Sequence, residues 1–172
     1  MMVQDDPTVS GTRSLDAEAQ EAVRLGDDDR IRAILRELCD VTQMGFCAVA
    51  RVTDTRWITV QSIDKLGFGL NPGDELILKT TICDEIRQHG QRVVIDDIEG
   101  NIDWATHHTP MMYGFKSYVS FPLFSSDGRF FGTLCAIDPV RRPLSARETI
   151  TRIEGLARRA EAVFATLGAF DR

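Results

Sequence analysis

Residues 113–139 read YGFKSYVSFPLFSSDGRFFGTLCAIDP, and this stretch decides the fold. Tyr118, Ser120 and Pro122 alternate with Val119, Phe121 and Leu123, the period of two that a half-buried strand imposes on its side chains. Asp127-Gly128 then supplies hairpin-turn chemistry, and a second apolar run follows from Arg129 to Ile137. The spacing predicts antiparallel strands over Lys116 to Phe124 and Arg129 to Ile137. Pro122 cannot donate to a ladder, which places it at an edge, a bulge or a strand end, and Gly132 marks a close approach by another backbone.

Working outward, Ser145-Ala146-Arg147-Glu148 reads as a capping box that opens a long C-terminal helix. Ile153, Leu156, Ala160, Val163 and Leu167 step alternately by three and four along it, the pattern of a heptad seam. A helix upstream repeats that alternation at Ile31, Ile34, Leu38 and Val41 after an acidic start at Asp27 to Asp29. A weaker helix over Leu15 to Leu25 precedes it, cut off by Gly26. Phe46 to Thr53 and Arg56 to Ile63 read as a hairpin across Asp54-Thr55, and Leu66 to Gly73 as a glycine-rich loop. Thr81 is placed to cap a short helix over Ile82 to His89, and Arg92 to Ile95 is a short buried strand. Asp96 to Thr109 has no period, and with Trp104, His107 and His108 it reads as a lid. The order predicts an α+β domain: a central antiparallel sheet with the terminal helices on one face and short helices and the lid on the other.

Composition narrows the function classes. The chain has 172 residues, 43% of them hydrophobic and 27% charged, which suits one ordinary globular domain over 15–170 after a disordered leader at 1–14. A net charge of -6 without a basic patch gives no footprint for nucleic acid or an anionic membrane. No uncharged run reaches the ~20 residues of a membrane span. Cys39, Cys47, Cys83 and Cys135 are scattered and follow no secretory signal, so we expect a reducing cytoplasm in which they are small buried hydrophobes.

Residues 113–123 and 127–139 resemble the end of a GAF domain, a fold related to PAS. Gln91-Arg92-Val93-Val94-Ile95-Asp96-Asp97 resembles that family's strand into its lid, and Thr81-Ile82-Cys83-Asp84-Glu85-Ile86 the helix before it. The resemblance runs from about Ile31 to Leu167, and its wording is most similar to N-terminal modules of bacterial sensor histidine kinases. It implies a non-catalytic sensory module of a two-component pathway, either stand-alone or cut from a longer kinase. A small molecule would bind beneath the lid, and 145–168 would serve as the signalling and dimerisation helix. The expected partners are that ligand, a second copy of the chain and a histidine kinase or other output domain, with no metal and no cofactor.

The ligand site is expected at Phe46, Phe68, Cys83, Trp104, His108, Tyr113, Phe115, Tyr118 and Phe121, and the dimer seam at Ile153, Leu156, Ala160, Val163 and Leu167. Three other chemistries stay open. A linear tetrapyrrole would attach at Cys83, although related photoreceptor domains have histidine where Asp84 stands. Haem would take an axial imidazole from His107 or His108. A free methionine sulfoxide reductase would need clustered redox cysteines, whose spacing is not matched here, and Cys47, Cys83 and Cys135 would have to converge in space.

Overall fold

The computed structural model describes residues 14–78, 81–100 and 114–171. In chain order these form α1 (Ala17–Gly26), α2 (Asp29–Thr42), β1 (Phe46–Val52), β2 (Trp57–Asp64), β3 (Glu75–Leu76), α3 (Ile82–His89), β4 (Val93–Ile95), a 3-10 turn (Ile98–Gly100), β5 (Ser117–Phe124), β6 (Phe130–Asp138) and α4 (Arg147–Thr166). The strands make one antiparallel sheet in the order β3-β2-β1-β6-β5-β4. This is the expected α+β architecture. All but Ser14 of the leader expected at 1–14 and most of the lid expected at 96–109 lie outside the described residues.

Alternation along the central strands gives the sheet two different faces. Cys47 and Val49 of β1, Leu134 and Ala136 of β6, and Val119, Phe121 and Leu123 of β5 pack under α1, α2 and α4. Phe46, Ala48 and Ala50, with Cys135 and Ile137, turn to the other side, where α3 covers them with Ile82, Cys83 and Ile86. A bulge in β2, between the partners of Val49 and Ala50, keeps Trp57 on the second side and Val60 on the first. Gly26, at the end of α1, sits on that bulge: a Cβ there would lie 1.9 Å from the Val60 carbonyl oxygen.

Gly132 is a close-approach residue, as its position implied, because a Cβ there would lie 1.8 Å from the Ala50 carbonyl oxygen of β1. Pro122 belongs to an interior strand, yet β4 pairs only with Tyr118 to Ser120. Its missing N–H therefore falls where β5 has already become an edge, next to a register shift at Leu123.

Three local readings are corrected. The capping box does not form: α4 starts from Ala146 without a side-chain cap, and the Ser145 hydroxyl donates instead to Asp96 Oδ1 at 2.8 Å. Thr81 likewise gives no cap to α3, since its hydroxyl donates back to the Leu78 carbonyl at 2.8 Å. The stripe read as a dimer seam belongs to the chain's own core: Ile153, Leu156, Ala160 and Val163 are buried with the sheet and α2, and Leu167 is partly buried against them. An intermolecular seam and an intramolecular face share the same helical period, and here the sheet takes the stripe.

The two glycines with contrasting surroundings test this packing. Gly132→Ala should lower the unfolding free energy by about 3 kcal/mol, because backbone rather than a movable side chain occupies the Cβ position. Gly155→Ala, exposed on α4 with open space around it, should raise the unfolding free energy by roughly 0.5–1 kcal/mol. Urea unfolding of both variants checks the pair, and an unchanged midpoint for Gly132→Ala would contradict the β1–β6 register.

Candidate functional site

Between α3 and the sheet lies an apolar cavity of about 50 Å³, several times the ~10–15 Å³ that one water needs on the same measure. It is lined from the sheet by Phe46, Trp57, Leu76, Tyr118, Cys135 and Ile137, from α3 and its approach by Thr81, Ile82 and Cys83, and from loops by Phe68, Leu70 and Phe115. Phe46 meets Phe68 edge-on with centroids 5.0 Å apart, and Phe115 stacks on Tyr118 at 5.5 Å. These pairs fix the rim by shape as much as by area.

Beneath the apolar lining, strand register gathers small and polar side chains. Pairing aligns Ala48, Cys135 and Ser120 in one row across β1, β6 and β5, and Thr59, Ala50, Thr133 and Pro122 in the next across β2, β1, β6 and β5. The alanines leave room, and Cys83 descends from α3 into it. Its Sγ lies 3.2 Å from Thr133 Oγ1, 3.5 Å from the Tyr118 hydroxyl and 3.9 Å from Ser120 Oγ.

This setting favours a charged sulfur at Cys83. Hydrogen bonding from Cys135 pulls the Cys83 thiol down to about 6, with Thr133 and Tyr118 adding to it, while burial opposes the shift. Cys135 is pushed the other way, first by that same hydrogen bond and then by burial. Tyr118 is raised by burial and by the neighbouring thiols, so it stays a neutral donor.

Two polar atoms on this side of the sheet have no hydrogen-bond partner among the described residues, Trp57 Nε1 and Thr59 Oγ1, and both residues are buried. They stand two positions apart on β2, and Trp57 lines the cavity. An unmet buried donor costs about 1–3 kcal/mol, so most such groups are paired.

Of the expected ligand residues, Phe46, Phe68, Cys83, Phe115 and Tyr118 come together here. Phe121 does not: three positions from Tyr118 on one strand it faces the opposite layer, where Arg92 lies over its ring. Trp104, His108 and Tyr113 lie outside the described residues, as does the haem ligand expected at His107 or His108. Sequence reading missed Trp57 and Cys135 as lining residues and Thr133 as a partner of Cys83. For the last two the parity of β6 relative to Gly132 was a usable signal. The cysteines do not converge as a trio, because Cys47 packs on the far face. Among the described residues no group of three or more His, Cys, Asp or Glu is placed to hold a metal ion, and no helix is long and apolar enough to cross a membrane.

A family model described as GAF domain matches residues 28–164. No curated protein matches the sequence. Among solved structures, the chain is similar to the GAF domain of an Acinetobacter phosphoenolpyruvate-protein phosphotransferase, at 12% identity and a TM-score of 0.65 over 90% of this chain and 98% of that one. It is also similar to the free methionine-R-sulfoxide reductase of Neisseria meningitidis in complex with its substrate, at 18% identity and a TM-score of 0.57 over 88% and 93%. The chromophore-binding domain of an unusual bacteriophytochrome from R. palustris matches at 15% identity and a TM-score of 0.64, over 88% of this chain and 61% of that one. At such identities the likeness is one of fold. The expectation that the chain is no enzyme is corrected by these neighbours, since the same fold carries reductases as well as a chromophore-binding domain.

The ultraviolet absorbance of the thiolate reads Cys83 without requiring a reagent to enter the cavity. It should grow in around pH 6 in the native protein and be missing from Cys83→Ser. Onset only at the pH of an ordinary thiol would contradict the hydroxyls around the Cys83 sulfur.

Proposed function

Because the chain belongs to the GAF domain family, we propose that it is a sensory module that takes a compact, largely apolar molecule bearing a hydrogen-bond acceptor into the cavity beneath α3. The observation that carries this reading is Trp57. Its indole N–H is buried at the wall of an apolar cavity and meets no acceptor among the described residues. A ligand that supplied the acceptor would remove an existing penalty as well as bury its own apolar surface. Apolar walls with a few placed polar groups are the usual make-up of a small-molecule site.

The same strands would carry the signal. β1 and β6 present Ala48, Ala50 and Cys135 towards the cavity side and Cys47, Val49, Leu134 and Ala136 towards the helices. A shift of these strands on binding would therefore be felt by α2 and α4, which pack on one another and would lead to an output domain such as a histidine kinase.

Thermal shift with amino acids, nucleobases, short carboxylic acids and sulfoxides tests the reading. A true ligand raises the unfolding temperature with concentration. Trp57→Phe keeps the ring but not the donor, and should weaken that ligand roughly tenfold, about 1.4 kcal/mol. Equal binding by both proteins would place the ligand elsewhere, and a panel without any shift would remove the reading.

A second reading rests on Cys83 and Cys135. The Cys83 thiolate would attack the sulfur of a small sulfoxide in the cavity, and Cys135 would then close a disulfide onto Cys83. The sulfoxide oxygen would leave as water with two protons, so that two thiols are oxidised and one sulfoxide is reduced. With dithiothreitol as reductant, loss of free methionine sulfoxide that disappears in Cys83→Ser supports this reading. No loss with the native protein sinks it.

A further inference from the structure

The other two cysteines also form a pair, on the opposite face of the sheet. Cys39, in the last turn of α2, and Cys47, the second residue of β1, share a hydrogen bond with their sulfurs 2.9 Å apart. A disulfide needs about 2.05 Å, so closing one asks the sulfurs to move by less than about 1 Å.

Backbone bonds hold both ends of this contact. The Gln43 N–H donates to the Cys39 carbonyl at 2.7 Å, with Gln43 in the left-handed region that ends α2. The Thr42 hydroxyl donates to the Leu38 carbonyl at 2.8 Å and accepts from the Met44 N–H at 3.2 Å. Beyond the turn, the Gly45 N–H donates to Asp138 Oδ2 and the Lys65 N–H to the Gly45 carbonyl, each at 2.8 Å. Cys47 itself is fixed in register between Ile63 of β2 and Ala136 of β6. The thiols are therefore juxtaposed by the fold rather than by side-chain chance.

We propose that Cys39 and Cys47 are an oxidation site separate from the cavity, forming an intramolecular disulfide with hydrogen peroxide. Cys39 is the entry point, since it keeps 4% of its surface exposed and Cys47 keeps none. On ionisation it is also the favoured thiolate: hydrogen bonding from Cys47 lowers it and Lys65 assists, against burial, while Cys47 is raised. The Cys39 thiolate attacks one peroxide oxygen, breaking the O–O bond and giving a sulfenic acid and hydroxide. The Cys47 sulfur then attacks the sulfenic sulfur, forming S–S as S–O breaks, and the proton balance releases two waters per peroxide in all. The bond would tie the end of α2, which packs on α4, to the sheet.

Trypsin places both thiols in one peptide, residues 37–51, apart from Cys83 and Cys135, so the native chain is its own reporter. Folded protein is treated with hydrogen peroxide, then denatured, alkylated and digested. We expect that peptide to lose about 2 Da and to take up no alkyl group, and dithiothreitol to restore two alkylations. In Cys47→Ser the reaction should stop at a Cys39 sulfenic acid that dimedone captures. Two alkylations after peroxide, a bond that forms only in urea, or Cys39 linked to a cysteine outside this peptide would each overturn the proposal.

Discussion

At Ala50 and Gly132 the backbones of β1 and β6 approach so closely that no side chain fits between them. That contact sets the register of the two central strands, and everything functional in the molecule is counted from it. One residue of slip would exchange the faces, sending Cys135 and Thr133 into the helix-covered core and Leu134 and Ala136 into the cavity. The β2 bulge acts in the same way for Trp57, and Gly26 lets α1 close over it.

With register fixed, the two faces become chemically distinct. The helix side is built from large aliphatic and aromatic residues with few polar groups. The α3 side gives up aliphatic packing at Ala48 and Ala50 and gathers a thiol pair and three hydroxyls in the space. Such a floor costs stability unless its groups satisfy one another, which Cys83, Thr133, Tyr118 and Ser120 do. On this face, Trp57 Nε1 and Thr59 Oγ1 are buried without a hydrogen-bond partner among the described residues. The cysteines follow the same division, one pair on each face, and the pair under α3 borders the cavity.

Features written locally in the chain were legible there. Alternation in β5, the Asp127-Gly128 turn and the apolar stripes of α2 and α4 identify their elements because period and turn chemistry do not depend on distant residues. Gly132 was readable as a close approach for the same reason, though not what it approached. The failures have tertiary causes. Ser145 looked like a cap until Asp96, 49 residues away, claimed its hydroxyl. The α4 stripe had the period of a dimer seam and of a core face alike. Phe121 was grouped with the ligand residues as an aromatic, although its parity against Tyr118 already put it on the other side. Trp57 and Cys135 line one cavity only through register across three strands, β2, β1 and β6, information that no single segment carries.

Ligand binding in this cavity turns on whether the indole N–H of Trp57 donates its hydrogen bond to the ligand. The chain has two tryptophans, so its nitrogen–proton NMR spectrum holds two indole signals, which Trp104→Phe tells apart. On adding a compound that raises the unfolding temperature, the Trp57 signal should move downfield as its proton gains an acceptor. A compound that binds and leaves that signal in place would contradict a ligand-binding role for the Trp57 N–H.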